Sequence, residues 1–205
     1  MKYDLERIKN MERFTVRIIC VNTGNKFDSW YTRNLKHMID TYSGLKYDEF
    51  VVISSENYKG VFNKLQMFDL YRDGENLYFD LDICIYGKVP NLIRKDPTVL
   101  YAWWRDRKHT TFNSSIISWT GDQSYIYNTF KKDPNMWQEK YNKGIDEMLE
   151  KEKLVVNNYD KVCYSVKGNE YKPKDDNYSI MLFNQKQYLM EPGWTGWWTN
   201  YFLSR

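Results

Sequence analysis

Cysteine and histidine are scarce in this sequence. The three cysteines, Cys20, Cys84 and Cys163, lie far apart in apolar stretches and form no CxxC spacing. They are therefore predicted to be reduced core residues in a reducing, cytoplasmic setting. The two histidines, His37 and His109, are too few and too far apart for a zinc motif of the usual spacing. These scarcities exclude a disulfide-stapled scaffold and a histidine-rich zinc site.

Long apolar runs and a strong charge imbalance are also missing. No apolar stretch approaches the roughly 20 residues that cross a bilayer, and residues 1–12 lack the apolar core of a signal peptide. We therefore expect no membrane span and no export signal. The 30 basic and 27 acidic residues leave a formal charge of only +3, which is too small to predict a nucleic-acid-binding surface.

Aromatic residues, by contrast, are abundant. Tyrosine, phenylalanine and tryptophan number 18, 10 and 8 and make up 18% of the 205 residues, while the mean hydropathy is −0.74. Much of the apolar surface is thus carried by rings that have a polar edge. The length is sufficient for an α/β domain with a sizeable core, and we expect a single domain over residues 1–205.

Two aspartates, Asp80 and Asp82, interrupt an apolar run over residues 76–86. Strand side chains alternate between faces, so both carboxylates are predicted to point the same way near the end of a buried strand. Neighbouring negative charges need a cation, and Mg²⁺ or Mn²⁺ takes oxygen ligands while leaving positions for substrate phosphates. The pattern predicts a metal site that holds a phosphorylated ligand; a solvated pair at a strand end is the alternative.

The first half of the sequence alternates between strand-like and helix-like segments. Strands are predicted over 14–21, 48–54 and 77–86, and helices over 28–42, capped by Asp28 or Ser29, and 61–71. This β-α-β-α-β order indicates a mostly parallel sheet with right-handed crossovers. Ligands of such sheets lie beyond the carboxyl ends of the strands, where the turn at 22–25 and the aspartate pair both fall.

The second half is less regular. Strands are predicted over 99–104, 112–119, 154–156, 161–166 and 178–183, and helices over 124–131 and 134–151. Polar residues 166–176 are predicted to form a mobile loop, and residues 191–198 an irregular aromatic tail.

Four segments, in this order, resemble the GT-A fold of nucleotide-sugar-dependent glycosyltransferases. They are the strand that ends at Asn22-Thr23, Phe-Asn-Lys-Leu at 62–65, Leu-Tyr-Phe-Asp-Leu-Asp at 77–82 and Phe-Asn-Ser-Ser at 112–115. The likeness is to the retaining group of glycogenin and the lipopolysaccharide galactosyltransferases, with its short phage and bacterial relatives. It implies a single-domain α/β fold in which residues 1–110 bind the nucleotide sugar and residues 111–205 form the acceptor side and tail.

The resemblance implies metal-dependent transfer of a hexose from a UDP-sugar, such as UDP-glucose, to an acceptor hydroxyl with retention of configuration. Asp80 and Asp82 would hold Mn²⁺ or Mg²⁺ on the donor diphosphate. Lys64 would place a positive charge where negative charge accumulates as the glycosidic bond breaks. Further donor contacts are implied for Asn22, Thr23, Leu81, Asn113 and Ser114.

A carboxylate near the reacting face of the sugar is also implied, and two aspartates compete for this role. Asp122, in Gly-Asp-Gln, matches the family's motif but follows Asn113 too closely for the helix expected between them. Asp146, in Gly-Ile-Asp-Glu, matches less well but comes after that helix, and we favour it. Capping of a helix is the alternative for each.

One departure from the family concerns the third metal ligand. The family supplies a late histidine after the last core strand, whereas residues 181–186 contain none. Asn184 offers an amide oxygen, which hard cations accept although it carries less charge than a carboxylate. On the acceptor side, Trp194 and Trp197 are candidates to stack on a sugar or a base, or to pack the tail against the sheet.

Other functions stay open from the sequence alone. The acceptor could be a saccharide, a lipid, a protein or, as in some phages, hydroxymethylated bases in DNA. A nucleotidyltransferase also uses paired carboxylates, although the chain has no Gly-rich activating loop. The missing histidine keeps open a catalytically degenerate module that binds a nucleotide sugar without transferring it.

Overall fold

The computed structural model describes residues 14–104, 110–166 and 173–205. Strands β1 to β4 span Val16–Val21, Glu49–Ile53, Glu75–Phe79 and Ile83–Ile85. Between β1 and β2 lies α1 (Ser29–Met38), which a π-helical turn (Ile39–Ser43) continues; between β2 and β3 lie a 3₁₀ helix (Gly60–Gln66) and α2 (Met67–Leu70). Asp28 caps α1 as predicted, since its Oδ1 accepts a hydrogen bond of 2.7 Å from Trp30 N. The β-α-β-α-β order is confirmed.

The remaining elements are shorter. Strands β5 to β9 span Thr98–Tyr101, Phe112–Thr120, Asn157–Tyr159, Tyr164–Ser165 and Ile180–Leu182. Helices α3 to α5 span Tyr125–Lys131, Pro134–Lys140 and Ile145–Lys151, and two 3₁₀ turns, Gln187–Met190 and Trp197–Tyr201, follow β9. The mobile loop predicted at 166–176 falls largely on residues 167–172, outside the described residues.

The central sheet has six strands in the order β2-β1-β3-β6-β5-β7. Three pairings are parallel (β1–β2, β1–β3 and β5–β7), and β6 runs antiparallel to both β3 and β5. A second, three-stranded sheet has the order β4-β9-β8. The prediction of a mostly parallel α/β sheet is confirmed.

The two faces of the central sheet are both buried, which follows from the period-two alternation of strand side chains. On β1, Ile18 and Cys20 face α1 and the small sheet, whereas Ile19 faces α2, α3 and α5 on the other side. Polar groups therefore collect at the ends of the strands. In the described ranges, no helix is long and apolar enough to cross a membrane.

The prediction of one continuous strand over 77–86 is wrong. β3 ends at Phe79, and the chain resumes as β4 in the small sheet, so Asp80 and Asp82 lie on the link between two sheets. The backbone N–H of Asp80 still donates to Ser115 O at 2.8 Å. Because both faces of the central sheet are covered, a charged pair within it would have been desolvated, and the chain leaves the sheet at these residues.

The prediction of one helix over 134–151 is also wrong. α4 ends at Lys140 and α5 begins at Ile145, after Gly144. Gly144 has φ +121°, which is a backbone conformation that other residues rarely adopt. The break allows α5 to start beside β6, where it carries Asp146 in its first turn.

Candidate functional site

A cavity of about 340 Å³ opens at the edge of the central sheet where β1 and β3 end and β6 begins. Its walls come from segments far apart in sequence: the turn after β1, the first 3₁₀ helix, the β3–β4 link, the start of β6, the start of α5 and the residues after β9. The structure brings together nine residues singled out from the sequence: Thr23, Lys64, Asp80, Leu81, Asp82, Asn113, Ser114, Asp146 and Asn184.

Asp80 is balanced by a buried lysine. Lys64, only 8% exposed, places its Nζ 2.6 Å from Asp80 Oδ1 and 3.5 Å from Ser114 O. The hydroxyl of Tyr78 donates to the same Asp80 oxygen at 2.5 Å, and Lys64 Nζ lies 5.2 Å from the centre of the Tyr78 ring. The negative charge of Asp80 is therefore compensated within the protein, by Lys64 and by the hydroxyl of Tyr78.

Asp82, by contrast, is poorly balanced. Among the described residues its carboxylate accepts one hydrogen bond, a long one of 3.4 Å from Gln185 N. Burial and the neighbouring charge of Asp80 raise the pKa of Asp82, and Lys26 and Lys64 offset this only in part. The two carboxylates thus have one lysine in direct contact, at Asp80, and a further cation beside Asp82 would stabilise the pair.

Residues 184 and 185 turn sharply over this pair. Asn184 (φ +47°) and Gln185 (φ +71°) are both in the left-handed region, which is costly for a residue other than glycine and least so for asparagine. The turn is held by Phe183 N, which donates to Asp82 O at 3.0 Å, and by Asn184 Nδ2, which donates to Ser165 Oγ. Because the amide nitrogen of Asn184 is engaged with Ser165, its amide oxygen is the atom that could bind a cation together with the two carboxylates.

This donor set is suited to a hard divalent cation. Two carboxylates and one amide oxygen match the ligand preference of Mg²⁺ and Mn²⁺. In the ranges that the structure covers, no group of three His, Cys, Asp or Glu side chains is arranged to hold a metal ion, so a third protein ligand would have to be another oxygen, such as that of Asn184. This turn after β9 lies where the resemblance noted in the sequence implies a histidine.

Asp146 lies on the cavity wall beside the start of β6. A bulge shifts the β5–β6 register from Val99–Ile117 to Leu100–Asn113. The bulged segment directs Ser114 N toward α5, where it donates to Asp146 Oδ1 at 2.9 Å. Asp146 therefore does not cap its own helix; its carboxylate is held against the strand that carries Asn113 and Ser114.

Four other predicted site residues lie outside the cavity wall. Asp122 follows the far end of β6, where its Oδ1 accepts a 2.8 Å hydrogen bond from Ser124 N at the start of α3. Asn22 continues the β1–β2 pairing, with its N 2.9 Å from Ile53 O. Trp194 packs on Tyr188, and Trp197 on Tyr86 and Tyr201. Of the two competing aspartates, the structure brings only Asp146 to the pair.

Sequence reasoning missed several residues of the cavity wall. Lys26 and Phe27 come from the turn after β1, Lys143 from the α4–α5 link and Gln185 from the turn after β9. Lys26 could have been found, because it follows a strand end that the sequence already assigned to the ligand-binding edge. Lys143 and Gln185 had no local signal, since an isolated lysine or glutamine in a loop is most often a solvated surface residue.

Comparison with solved structures identifies the class of fold. The apo form of the glycosyltransferase GlyE of Streptococcus pneumoniae TIGR4 has a TM-score of 0.63 at 12% identity, over 94% of this chain and 61% of that one. A second GlyE structure has a TM-score of 0.61 at 10% identity with the same coverage. A glycosyltransferase involved in the glycosylation of the major capsid of PBCV-1 has a TM-score of 0.59 at 12% identity, over 83% of this chain and 93% of that one.

The chain therefore has a glycosyltransferase fold, and the fold expected from the sequence is confirmed. It spans 61% of the length of GlyE. No model of a known protein family and no curated protein matches the chain. At 10–12% identity the likeness concerns the fold, so the narrower relation to glycogenin and the lipopolysaccharide galactosyltransferases stays a prediction.

Proposed function

We propose that this chain is a metal-dependent glycosyltransferase that moves a hexose from a UDP-sugar to an acceptor hydroxyl with retention of configuration. The observation that carries the proposal is the under-compensated pair of carboxylates, Asp80 and Asp82, at the ligand-binding edge of a glycosyltransferase fold. Retention comes from the sequence resemblance alone.

Charge supports a diphosphate as the ligand. In the described part of the chain, the cavity wall carries three lysines and three aspartates: Lys26, Lys64, Lys143, Asp80, Asp82 and Asp146. The wall is therefore formally neutral, and a divalent cation would bring it to +2. The two negative charges of a nucleoside diphosphate sugar would restore neutrality, which an uncharged ligand would not do.

The metal would be held by Asp80, Asp82 and the amide oxygen of Asn184. When bound, it would supply positive charge to the leaving diphosphate. Lys64, already 2.6 Å from Asp80, would add a second positive charge beside the pair. Its burial against Tyr78 holds it in place, so little reorganisation would be needed when the donor binds.

Asp146, Asn113 and Ser114 would act on the sugar itself. Asn113, 4% exposed, accepts from Ser115 N at 3.1 Å through its Oδ1, which leaves its NH₂ group as a donor to a sugar hydroxyl. Asp146 is the third carboxylate of the wall and would face the reacting side of the sugar. Ser114 N fixes the Asp146 carboxylate in place, which favours a positioned group over a mobile one.

A thermal-shift and turnover experiment tests the proposal. Because a ligand that binds only the folded state raises its stability, UDP and UDP-hexoses should raise the melting temperature in the presence of Mn²⁺ and much less in EDTA. Release of UDP, rather than pyrophosphate, should accompany donor turnover. Release of pyrophosphate would instead indicate a nucleotidyltransferase, and no metal-dependent binding of any UDP-hexose would refute the proposal.

A degenerate module that binds a nucleotide sugar without transferring it is the second candidate. It is favoured by one observation: residues 181–186 offer the amide of Asn184 where the enzymes that the sequence resembles supply a histidine. Both groups are neutral, but the site lacks the imidazole nitrogen that would otherwise strengthen metal binding. Tight Mn²⁺–UDP binding without donor hydrolysis or transfer would select this candidate.

A further inference from the structure

A second concave space lies directly beside the cavity. It is an open groove of about 860 Å³ between residues 56–59 and residues 134–142, and we call it the α4 groove. The walls of the groove continue into the walls of the cavity at Lys59–Gly60 and at Asn142–Lys143. At this junction a Cβ built on Gly144 would lie 3.3 Å from Val61 Cγ2, so the two walls meet closely there.

The walls of the groove are held in place by hydrogen bonds. Its two walls are joined by Lys59 N, which donates to Gln138 Oε1 at 2.7 Å. The 56–59 wall is held by fully buried Asn63, whose Oδ1 accepts from the backbone N–H groups of residues 57 and 58 at 2.9 Å each. Tyr58 is fixed by a 2.6 Å hydrogen bond to the hydroxyl of Tyr127. Such a preorganised surface loses little entropy when a ligand binds.

The chemistry of the groove selects one class of ligand. Four of its nine lining residues carry amides. Those of Asn57 and Gln138 are hydrogen-bonded within the protein, whereas those of Asn135 and Asn142 are exposed and have no hydrogen-bond partner among the described residues. Each amide offers both donors and an acceptor, the combination that hydroxyl groups require. Tyr58 and Pro134 are the two lining residues that are neither amides nor charged, so a lipid tail would find no continuous hydrophobic wall.

Charge argues against DNA at this place. Glu56 and Glu139 face a single lysine, Lys59, so the groove has a formal charge of −1. A phosphate backbone would be repelled, because binding of DNA depends on neutralising phosphates with lysine and arginine.

We infer that the α4 groove is the acceptor site and that it takes a neutral saccharide. This inference rests on the proposed function, and it assigns the acceptor to residues 56–59 and 134–142 in place of the aromatic tail. A hydroxyl-rich ring in the groove would reach the cavity over the Val61–Gly144 junction, on the Asp146 side of the bound donor.

Binding of p-nitrophenyl α- and β-glucosides and galactosides, without donor, tests the inference by saturation-transfer NMR. Asn135→Ala/Asn142→Ala should weaken binding of the hexoside at least about tenfold, since two amides that contact it are lost. The matched control is Asn128→Ala, an exposed amide on α3 outside the groove, which should bind as the wild type does.

The Mn²⁺–UDP affinity is measured in parallel and should be the same in all three proteins. Absence of hexoside binding, equal binding by the double variant, or displacement of the hexoside by a DNA duplex would overturn the acceptor assignment. If the wild type did not bind UDP in Mn²⁺ at all, the proposed function would be refuted instead. Failure of the acceptor assignment and failure of the proposed function are therefore distinguishable.

Discussion

At the edge of the central sheet where β1, β2 and β3 begin, Arg17 is enclosed by acidic partners. Its guanidinium lies 2.8 Å from Glu49 Oε2 and 2.9 Å from Asp73 Oδ1. Burial alone would lower the pKa of Arg17, but the hydrogen bonds to Asp73 and Glu49 outweigh burial and raise it. The opposite edge has the same formal charges, two carboxylates and one cation, but there the carboxylates Asp80 and Asp82 are themselves shielded from water and share one buried lysine.

The two edges show why a cluster of charges is not by itself a functional site. Arg17 is satisfied by groups within the chain, and its acidic partners are largely exposed to water. The pKa of Asp82 is raised by burial and by the neighbouring charge of Asp80, and Lys26 and Lys64 offset this only in part. The ligand-binding edge is distinguished by the shielded and poorly compensated carboxylate of Asp82, and not by the number of charged residues.

The largest expected effect comes from Asp82→Asn, which keeps the shape of the side chain and removes its charge. We expect Mn²⁺-dependent UDP affinity to fall by about 100-fold or more, because a hard cation loses a carboxylate ligand. Isothermal titration calorimetry measures the change. Unaltered affinity in this variant would break the comparison, because the pair would then not be where the metal binds.

A second prediction contrasts the central cations of the two edges. Lys64→Met should lower the free energy of unfolding by about 3 kcal/mol in EDTA, since it leaves an uncompensated buried carboxylate pair. Millimolar Mn²⁺ should restore much of this loss. Arg17→Met should cost about 2 kcal/mol, with or without Mn²⁺. Urea unfolding measures all four values, and an equal response of both variants to Mn²⁺ would contradict the prediction.

A third prediction concerns Glu150, a carboxylate near the site whose charge is satisfied. Burial alone would raise its pKa, but hydrogen bonds from Thr110 and Thr111 outweigh burial and lower it. A carboxyl group with a lowered folded-state pKa stabilises the protein above its unfolded pKa of about 4.3, and this contribution disappears as pH falls through the folded value.

Glu150→Gln should therefore reduce the free energy of unfolding by about 1 kcal/mol at pH 7 and by progressively less below about pH 4. Urea unfolding of both proteins at pH 7, 5 and 3.5 checks the sign. A difference that widens on acidification would show that Glu150 does not carry a lowered pKa.

The smallest effect is expected at Asp122, the acidic residue that lies away from the pair. Its pKa is lowered by the hydrogen bond from Ser124 N, and its side chain is exposed. Asp122→Asn should leave Mn²⁺–UDP affinity within about twofold of the wild type, which makes it the matched control for Asp82→Asn. A large loss of affinity here would reopen the choice between Asp122 and Asp146.

Several elements of the fold could be predicted because their signals are local. The apolar run of β1, the helical spacing and Asp28 cap of α1, and the strand order of the first half each depend on neighbouring residues. The break at 80–82 could not be predicted, because an apolar run continues on both sides of the pair. A run of that kind does not distinguish one strand from two strands in different sheets.

The sequence alone determined the class of fold and singled out Asp80, Asp82 and Lys64, since each belongs to a local pattern placed in a known order; that Lys64 pairs with Asp80 came from the structure. Only the tertiary structure decided what surrounds the pair: Asn184 and Gln185 turned over Asp82, Asp146 held by Ser114, and a polar groove beside Gly144. These neighbours are about 30 to 100 residues apart in the chain. Their meeting depends on long-range packing and register, which local periodicity does not encode.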